Sequence, residues 1–241
     1  MRIFIALLAL SLLSGCATTD MTGQLNRGIG KIPTTQYSNA QTIEEIRELR
    51  PQAKLPLKVA VMLPRRWKSI SFEERELIES WGEKLRESGF IKSIEIIPKS
   101  LTPNCGYKNN NDCFLIESRK AGARLGADAL LFLNDSTVTD SYVNGASILN
   151  LTIIGMWLAP AHHKDSYSVY EASLFDINNG YLYAVIEGLG KSKTVGPFMY
   201  SNASDGQKEA RLKALNEVGG KLLLSAQTQM EKLTFSEKTE N

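Results

Sequence analysis

Residues 129–133 read Ala129-Leu130-Leu131-Phe132-Leu133, an uninterrupted apolar stretch in the middle of the chain. A strand that is covered on both faces needs apolar residues at every position, whereas a half-exposed strand alternates apolar and polar ones. The stretch therefore predicts a central strand, around which the other elements are arranged.

Two strands and two helices are predicted before this central strand. The apolar segments 57–63 and 91–97 are each followed by a proline, which ends the strand. Residues 71–88 carry apolar side chains at helical spacing, and residues 113–125 form a second helix with Asp112 as its predicted N-cap. Strands that are joined through helices run parallel, so we expect a parallel arrangement in this half of the sheet.

Two capping boxes mark the beginnings of helices. In this motif a Ser or Thr is followed three residues later by Glu, and each side chain binds the other residue's backbone N–H. Thr42 with Glu45 predicts a short helix that ends before Pro51, and Ser71 with Glu74 predicts the beginning of the helix over 71–88.

After Leu133 the predicted strands follow one another without helices between them. Asn178-Asn179-Gly180 is a strong signal for a tight hairpin turn, since such turns favour residues that accept a positive φ. A last helix is predicted from Ser204 or Asp205 to about Leu233. The four predicted strands in this half are 137–143, 149–158, 167–176 and 181–188.

The predicted fold is therefore α/β (α+β), in the order β-α-β-α-β-β-β-β-β-α. Hairpin-linked strands run antiparallel, so we expect one mixed sheet with helices mainly on one face.

The composition is that of an ordinary globular protein. Of the 241 residues, 43% are hydrophobic and 22% are charged, and the net charge is +2 with both signs interspersed. This balance gives no reason to expect a nucleic-acid partner. No stretch after residue 16 is long and apolar enough to predict a transmembrane helix.

The N-terminus has the pattern of a leader peptide. Met1-Arg2 precedes the apolar run 3–13, which is too short to span a bilayer as a helix. The following Leu13-Ser14-Gly15-Cys16 resembles the lipobox of bacterial lipoproteins. The resemblance implies cleavage before Cys16 and attachment of lipid such as palmitate to its thiol. By resemblance to the sorting of enterobacterial lipoproteins, Ala17 favours the periplasmic face of the outer membrane, whereas Asp at this position would favour the inner membrane. The alternative is an ordinary secretory peptide with an incidental cysteine.

These features divide the chain into four segments. Residues 17–40 are rich in Thr, Gly, Asn and Gln and lack apolar periodicity, which is typical of a flexible tether. The predicted segments are a signal peptide over 1–15, the lipidated Cys16 with the tether over 16–40, one globular domain over 41–235 and a polar tail over 236–241.

The other two cysteines predict a structural disulfide. Cys105 and Cys113 flank a polar, turn-forming loop and would be an even pair in an oxidising compartment. The alternative is a redox or metal pair, but CxxC spacing is absent and two thiols make only half of a zinc site.

Three motifs carry a resemblance to known lipoproteins: LKVAVMLP at residues 57–64, LGADALLFL at 125–133 and SLFDINNGYLY at 173–183. They resemble the lipoprotein domains related to the TolB N-terminal domain, the LpoB activators and the CsgG secretion lipoprotein, and more narrowly the rhombotail lipoproteins. The similarity covers roughly residues 55–235. Its motifs are structural, so it implies a fold rather than an activity. Some rhombotail members end in a Gly-Gly tail, whereas Gly219-Gly220 lies here inside the last predicted helix.

The sequence shows no catalytic, metal or cofactor set. His162 and His163 are adjacent and are expected on a surface loop, where neighbouring side chains point apart and rarely bind one ion. No Gly-x-Ser-x-Gly elbow occurs, and Gly190-Lys191-Ser192 lacks the earlier glycine of a phosphate-binding loop. We therefore predict a protein that is not an enzyme.

Several carboxylates lie near predicted strand ends. Paired carboxylates can carry acid–base chemistry. For two of them, however, a structural role is favoured: Asp128 at the entry of the central strand and Asp176 at the Asn-Gly turn. The remaining two are Asp135 and Asp140.

Two surfaces are candidates for binding. Arg65-Arg66-Trp67-Lys68 follows the first strand at its carboxyl end, where open sheets commonly place ligands, and forms a candidate interaction patch. Residues 148–160 are apolar on both strand faces, which fits either a core strand or an exposed edge for oligomer contacts.

Three functions remain open from the sequence. The first is a lipid-anchored module that binds an envelope protein or a peptidoglycan-associated partner without catalysis. The second is a subunit of an oligomeric secretion or pore assembly similar to CsgG. The third is a periplasmic enzyme with an unusual site.

Overall fold

The computed structural model describes residues 42–63, 70–103, 105, 111–144, 157, 162–197 and 203–239. Within them, five strands and four α-helices form an α+β fold around one mixed sheet, which confirms the predicted class and order of elements. A short 3-10 helix, Lys99–Leu101, follows the strand Ile91–Ile96. The helices and strands are α1 Ile43–Glu48, β1 Leu57–Met62, α2 Phe72–Glu87, β2 Ile91–Ile96, α3 Asn111–Arg124, β3 Ala129–Val143, β4 His162–Asp176, β5 Leu182–Gly196 and α4 Ala203–Thr239.

The strand order in the sheet is β2-β1-β3-β4-β5. β1 pairs in parallel with both β2 and β3, as expected for strands that are joined through helices. β3, β4 and β5 pair antiparallel, and β4 lies opposite β3 from Ala129↔Asp176 to Val143↔His162. The apolar stretch 129–133 thus lies inside the sheet, and Leu130 is fully buried.

Two clusters of buried side chains cover the two faces of the sheet. On one face α2 and α4 pack over Val61, Leu131 and Tyr170. On the other face α3 packs over Leu130 and Phe132. Odd-numbered residues of β3 therefore face α2 and α4, and even-numbered ones face α3, as the alternation of a strand requires.

Both capping boxes are present. The Ser71 hydroxyl accepts from the backbone N–H of Glu74, and the Glu74 carboxylate accepts from the N–H of Ser71 at 2.8 Å. Thr42 and Glu45 make the same exchange at the beginning of α1. The apolar side chains of α1 are exposed: 65% for Ile43 and 53% for Ile46.

The antiparallel strands are longer than predicted. The two predicted strands 129–133 and 137–143 are one strand, β3, because the ladder to β4 continues through the polar residues 134–136. β4 begins at His162 rather than at residue 167, and β5 continues to Gly196 rather than ending at 188. The ladder continues through these polar residues, and some of them, such as Ser166, Ser168 and Ser192, are buried. The predicted strand 149–158 lies outside the described residues except for Trp157.

Two helix boundaries also differ from prediction. Asp112 is not an N-cap, because α3 already begins at Asn111. α4 continues to Thr239, past the predicted end near Leu233 and into the predicted tail 236–241.

Candidate functional site

A cavity of about 450 Å³ lies between the sheet and helices α2 and α4. Its floor is made by sheet residues such as Leu131, Leu174 and Ile186, and its outer wall by the carboxyl half of α4. The segment 50–56, which we call the strap, closes one side. The lining residues are Pro51, Ala53, Leu55, Leu57, Val59, Leu85, Phe90, Ile91, Ile94, Leu131, Leu174, Tyr181, Tyr183, Ala184, Ile186, Leu222, Ser225, Ala226 and Gln229.

The lining is almost entirely apolar. None of the lining residues in the described part of the chain carries a charged side chain. Its polar side chains belong to Tyr181, Tyr183, Ser225 and Gln229. Such a lining suits apolar groups, and it offers no pair of groups for acid–base chemistry.

The size of the cavity matters for the energy of the fold. An empty apolar cavity costs about 24 cal/mol per Å³, so a void of this size would cost about 11 kcal/mol if it were sealed and empty. That is a large part of the roughly 5–15 kcal/mol by which a domain is stable. Apolar cavities also tend to stay dry. The cavity is therefore a place where an apolar guest would stabilise the protein.

The strap is held in place by a buried carboxylate. Asp176, at the end of β4, is fully buried, and its Oδ2 accepts from the backbone N–H groups of Gln52 at 2.8 Å and Ala53 at 2.9 Å. The Tyr183 hydroxyl donates to the same oxygen at 2.7 Å. Oδ1 accepts from the N–H of Asn178 at 2.9 Å.

These hydrogen bonds set the charge of the buried carboxyl. Burial by itself would raise the pKa of Asp176, but the hydrogen bonds from Tyr183, Gln52, Asn178 and Ala53 outweigh it and lower the pKa below its ordinary value. Burial, together with the hydrogen bond to Asp176, raises the pKa of Tyr183. Tyr183 therefore remains a neutral donor beside an ionised Asp176.

The β4–β5 hairpin completes this support. Gly180 has φ +77°, and its N–H donates to the Asp176 carbonyl at 3.0 Å, which confirms the predicted Asn-Asn-Gly turn. The Asn179 side chain donates to the Arg50 carbonyl at 2.8 Å. The sequence correctly assigned Asp176 to this turn, but the connection to the strap more than 120 residues away has no signal in the local pattern.

Asp128 has the structural role that the sequence predicted. Its Oδ2 accepts from the backbone N–H of Lys58 at 2.9 Å, where β1 and β3 begin side by side. Nearby, Arg119 of α3 is buried and donates twice to the Ile177 carbonyl. Burial lowers the pKa of Arg119, and the charge of Asp176 opposes that change.

A second buried carboxylate joins α2 to α4 and the sheet. Glu74 is fully buried and accepts from the Tyr170 hydroxyl at 3.1 Å and from Arg211 Nε at 3.2 Å. On the surface beside it, Lys208 binds Glu73 at 2.6 Å, and this hydrogen bond lowers the pKa of Glu73 to about 2. These contacts fix the amino half of α4 over the sheet.

Glycines on β5 bring the same half of α4 very close to the sheet. A Cβ atom on Gly188 or Gly190 would collide with backbone atoms of Ala214 and Ala210 in α4. In the sequence, Gly190 belongs to an incomplete match to a phosphate-binding loop. The structure places it in a strand, where it provides room for the helix.

The opposite side of β5 is exposed. β5 is the last strand of the described sheet, and its residues that point away from α4 include Val185, Leu189 and Val195, which are 49%, 65% and 52% exposed. Glu171 on β4 lies directly opposite Glu187 on β5. Burial, and to a smaller extent the charge of Glu187, raise the pKa of Glu171, although a hydrogen bond from Ser173 opposes this.

The residues predicted as sites fall into three groups. Cys16 and the patch Arg65, Arg66, Trp67 and Lys68 lie outside the described residues. Cys105 and Cys113 form a disulfide in the structure, with their Cα atoms 6.0 Å apart. The predicted surface loop for His162 and His163 is wrong: both lie in β4, and His163 stacks on Tyr142 with ring centroids 5.1 Å apart.

Two further features of the described residues concern metal ions and the membrane. Among them, no group of three or more His, Cys, Asp or Glu side chains is placed to hold a metal ion. No helix in the described ranges is both long enough and apolar enough to cross a bilayer.

Comparison with known proteins gives distant structural likeness only. No protein-family model matches the chain, and no curated protein matches it. Among solved structures, lipoprotein GNA1162 from Neisseria meningitidis is 15% identical, with a TM-score of 0.31 over 73% of this chain and 99% of that one. The PelC dodecamer from Paraburkholderia phytofirmans is 15% identical, with a TM-score of 0.28 over 67% and 86%. The hypothetical protein CT253 from Chlamydia trachomatis is 10% identical, with a TM-score of 0.29 over 72% and 95%. At these scores the likenesses carry no argument about function.

Proposed function

We propose that this protein is a lipid-anchored, non-catalytic binding module on the periplasmic face of the outer membrane. The leader pattern and the lipobox-like Leu13-Ser14-Gly15-Cys16 support the anchor, and residues 17–40 supply a tether. On this proposal the domain is held at the membrane by lipid on Cys16 and binds partners of the envelope. No cofactor or nucleic acid takes part.

The observation that carries the binding function is the apolar cavity beneath α4. Its floor is formed by core residues, and Leu131 and Leu174 are only 3% and 8% exposed. Its shape is maintained by the strap, which the buried Asp176 holds through two backbone N–H groups. A preformed cavity with these walls suits reversible binding of an apolar group rather than a reaction.

A second candidate function is a subunit of an oligomeric assembly in the envelope. The observation that favours it is the row of exposed apolar side chains on the edge strand β5, with Leu189 65% exposed. Exposed edge strands are ready places for pairing with another chain. A strictly monomeric mass of the membrane-extracted protein in native mass spectrometry would eliminate this candidate.

The anchor is tested by metabolic labelling with radioactive palmitate. We expect the wild-type chain to be labelled and to fractionate with outer membranes, and we expect Cys16→Ser to remain unlabelled and unprocessed. Ala17→Ser, which keeps the cysteine, is the matched control and should be labelled like the wild type. A Cys16→Ser chain that matures normally and remains with membranes would refute the anchor.

The choice of partner is tested by crosslinking in cells. A photoreactive amino acid at Arg65, Trp67 or Lys68 samples the predicted interaction patch, and the same group at Leu189 samples the β5 edge. Capture of one defined envelope protein from the patch supports the module. Capture of a second copy of this chain from Leu189 alone supports the oligomer.

A further inference from the structure

We propose that the cavity beneath α4 holds one acyl chain of a single-chain amphiphile such as a fatty acid. This names a ligand class for the cavity and extends the proposed function, on which it rests for the source of such chains at the membrane.

The walls favour a hydrocarbon chain over a peptide. A peptide segment in the cavity would bring backbone N–H and C=O groups that need hydrogen-bond partners. The lining offers polar side-chain atoms only from Tyr181, Tyr183, Ser225 and Gln229, and the Tyr183 hydroxyl is already bound to Asp176. A hydrocarbon chain has no such groups, so it can be buried without leaving any of them unsatisfied.

One face of α4 provides both an apolar wall and a polar rim. Leu222, Ser225, Ala226 and Gln229 line the cavity at spacings of three and four residues, so they share one side of the helix. Ala226 is 3% exposed, whereas Ser225 and Gln229 are exposed. An amphiphile with its chain at Ala226 would therefore have hydroxyl and amide groups beside its headgroup.

The mouth of the cavity lies next to the segment that leads to the membrane. Pro51 and Leu55 of the strap are exposed members of the lining, and the strap follows α1. Residue 42 comes 26 positions after Cys16. A flexible chain of that length would have an end-to-end distance of roughly 25–30 Å, which would let the mouth reach the bilayer surface. The exposed apolar side chains of Ile43 and Ile46 lie in α1, directly before the strap.

The experiment uses the full-length protein in lipid nanodiscs and a palmitic acid that carries a photoreactive diazirine in the middle of its chain. After illumination, the labelled residues are mapped by mass spectrometry. We expect adducts on cavity residues such as Leu174, Ile186 and Leu222. Ala226→Phe, which fills the cavity from the helix, should reduce this labelling at least tenfold. Gln227→Phe is the matched control on the exposed side of the same helix and should leave the labelling unchanged.

A thermal melt gives a second readout on the same samples. Palmitate at about 100 times its Kd should raise the Tm of the wild type by roughly 5–10 °C and should not raise that of Ala226→Phe. If Ala226→Phe does not fold, Ala184→Phe fills the same cavity from the sheet side. The adduct map of the wild type decides the question even if neither variant folds.

Three results would overturn the assignment. They are no labelling of the wild type above background, adducts that map only outside the cavity, and equal labelling of wild type and a folded cavity-filling variant. Failure of the anchor is distinguishable, because Cys16→Ser in the same nanodiscs should still take up the added palmitate if the cavity is a site of its own. Labelling of the cavity that appears only in Cys16→Ser would mean that the protein's own anchor fills the cavity of the wild type, which also contradicts a separate ligand.

Discussion

The buried carboxylate of Asp176 gives the sharpest prediction about how this fold holds its cavity. Asp176→Asn keeps the size of the side chain but replaces one acceptor oxygen by an NH₂ group. Three donors meet at Oδ2, so the amide oxygen is expected to take that position. The NH₂ group then faces the N–H of Asn178, and two donors are left opposed.

The expected cost follows from these contacts. A buried donor that loses its acceptor costs about 1–3 kcal/mol, and the remaining hydrogen bonds lose the extra strength that a charged acceptor gives. We expect Asp176→Asn to lower the free energy of unfolding by about 3 kcal/mol. In a chain of this size that corresponds to a fall in Tm of roughly 6–12 °C.

The assay is thermal unfolding of the full-length protein, monitored by circular dichroism in the same detergent for every variant. Asp128→Asn is the matched control, because Asp128 accepts one backbone N–H, from Lys58, at an exposed position. An amide oxygen can keep that single contact, so this variant should lose less than about 1 kcal/mol. If Asp176→Asn is no less stable than Asp128→Asn, the carboxylate does not hold the strap.

The same carboxylate predicts an acid-sensitive contribution to stability. Its pKa in the folded protein lies below the ordinary value, so the ionised form is favoured by folding. The resulting stability is fully present above about pH 4, the pKa of an unfolded Asp, and is lost as the pH falls through the folded pKa. The difference in Tm between wild type and Asp176→Asn should therefore shrink on acidification below pH 4. A constant difference would contradict this origin.

Two more substitutions test the packing of α4 and the disulfide. Gly190→Ala would drive a methyl group into the Ala210 backbone and should lower the free energy of unfolding by more than about 2 kcal/mol. Gly220→Ala is the control, because its methyl group meets open space and should stabilise the helix by up to about 1 kcal/mol. Equal effects of the two variants on the denaturant midpoint would contradict the close contact at Gly190. Replacing Cys105 and Cys113 together by Ser should lower stability by about 2–3 kcal/mol, and a wild-type Tm that does not respond to reductant would contradict this.

Local patterns in the sequence were sufficient for the fold class. The apolar stretch 129–133 indicated the central strand because a strand inside a covered sheet has no polar position. The Ser71–Glu74 box and the turn at Gly180 were found because each uses hydrogen bonds or dihedral angles within a few residues. The boundary of β3 was missed for a related reason: polar residues at 134–136 signal a loss of burial, while the ladder depends on the partner strand.

The candidate site could not be found in the same way. The cavity is lined from the strap, from all five strands or their ends and from two helices, and no short segment contributes more than a few of its residues. Asp176 was assigned to its turn, whose contacts are local, but not to Gln52 and Ala53, which are far away in the chain. Gly190 gave no usable signal because its role depends on which helix lies over it.

The position of the cavity follows from a change in side-chain size along the interface between α4 and β5. At Gly188 and Gly190 the sheet has no side chains, so the helix backbone at Ala210 and Ala214 touches the strand. Toward the beginning of β5 the sheet carries larger side chains such as Ile186, while Ala226 on the helix is small. Ala226 lies 12 residues beyond Ala214, or about 18 Å along the helix axis. A rigid helix that is held close at one end over glycines and meets large side chains at the other must diverge from the sheet, and the cavity lies where it diverges. The glycines that fix one end of α4 therefore also determine where the cavity lies.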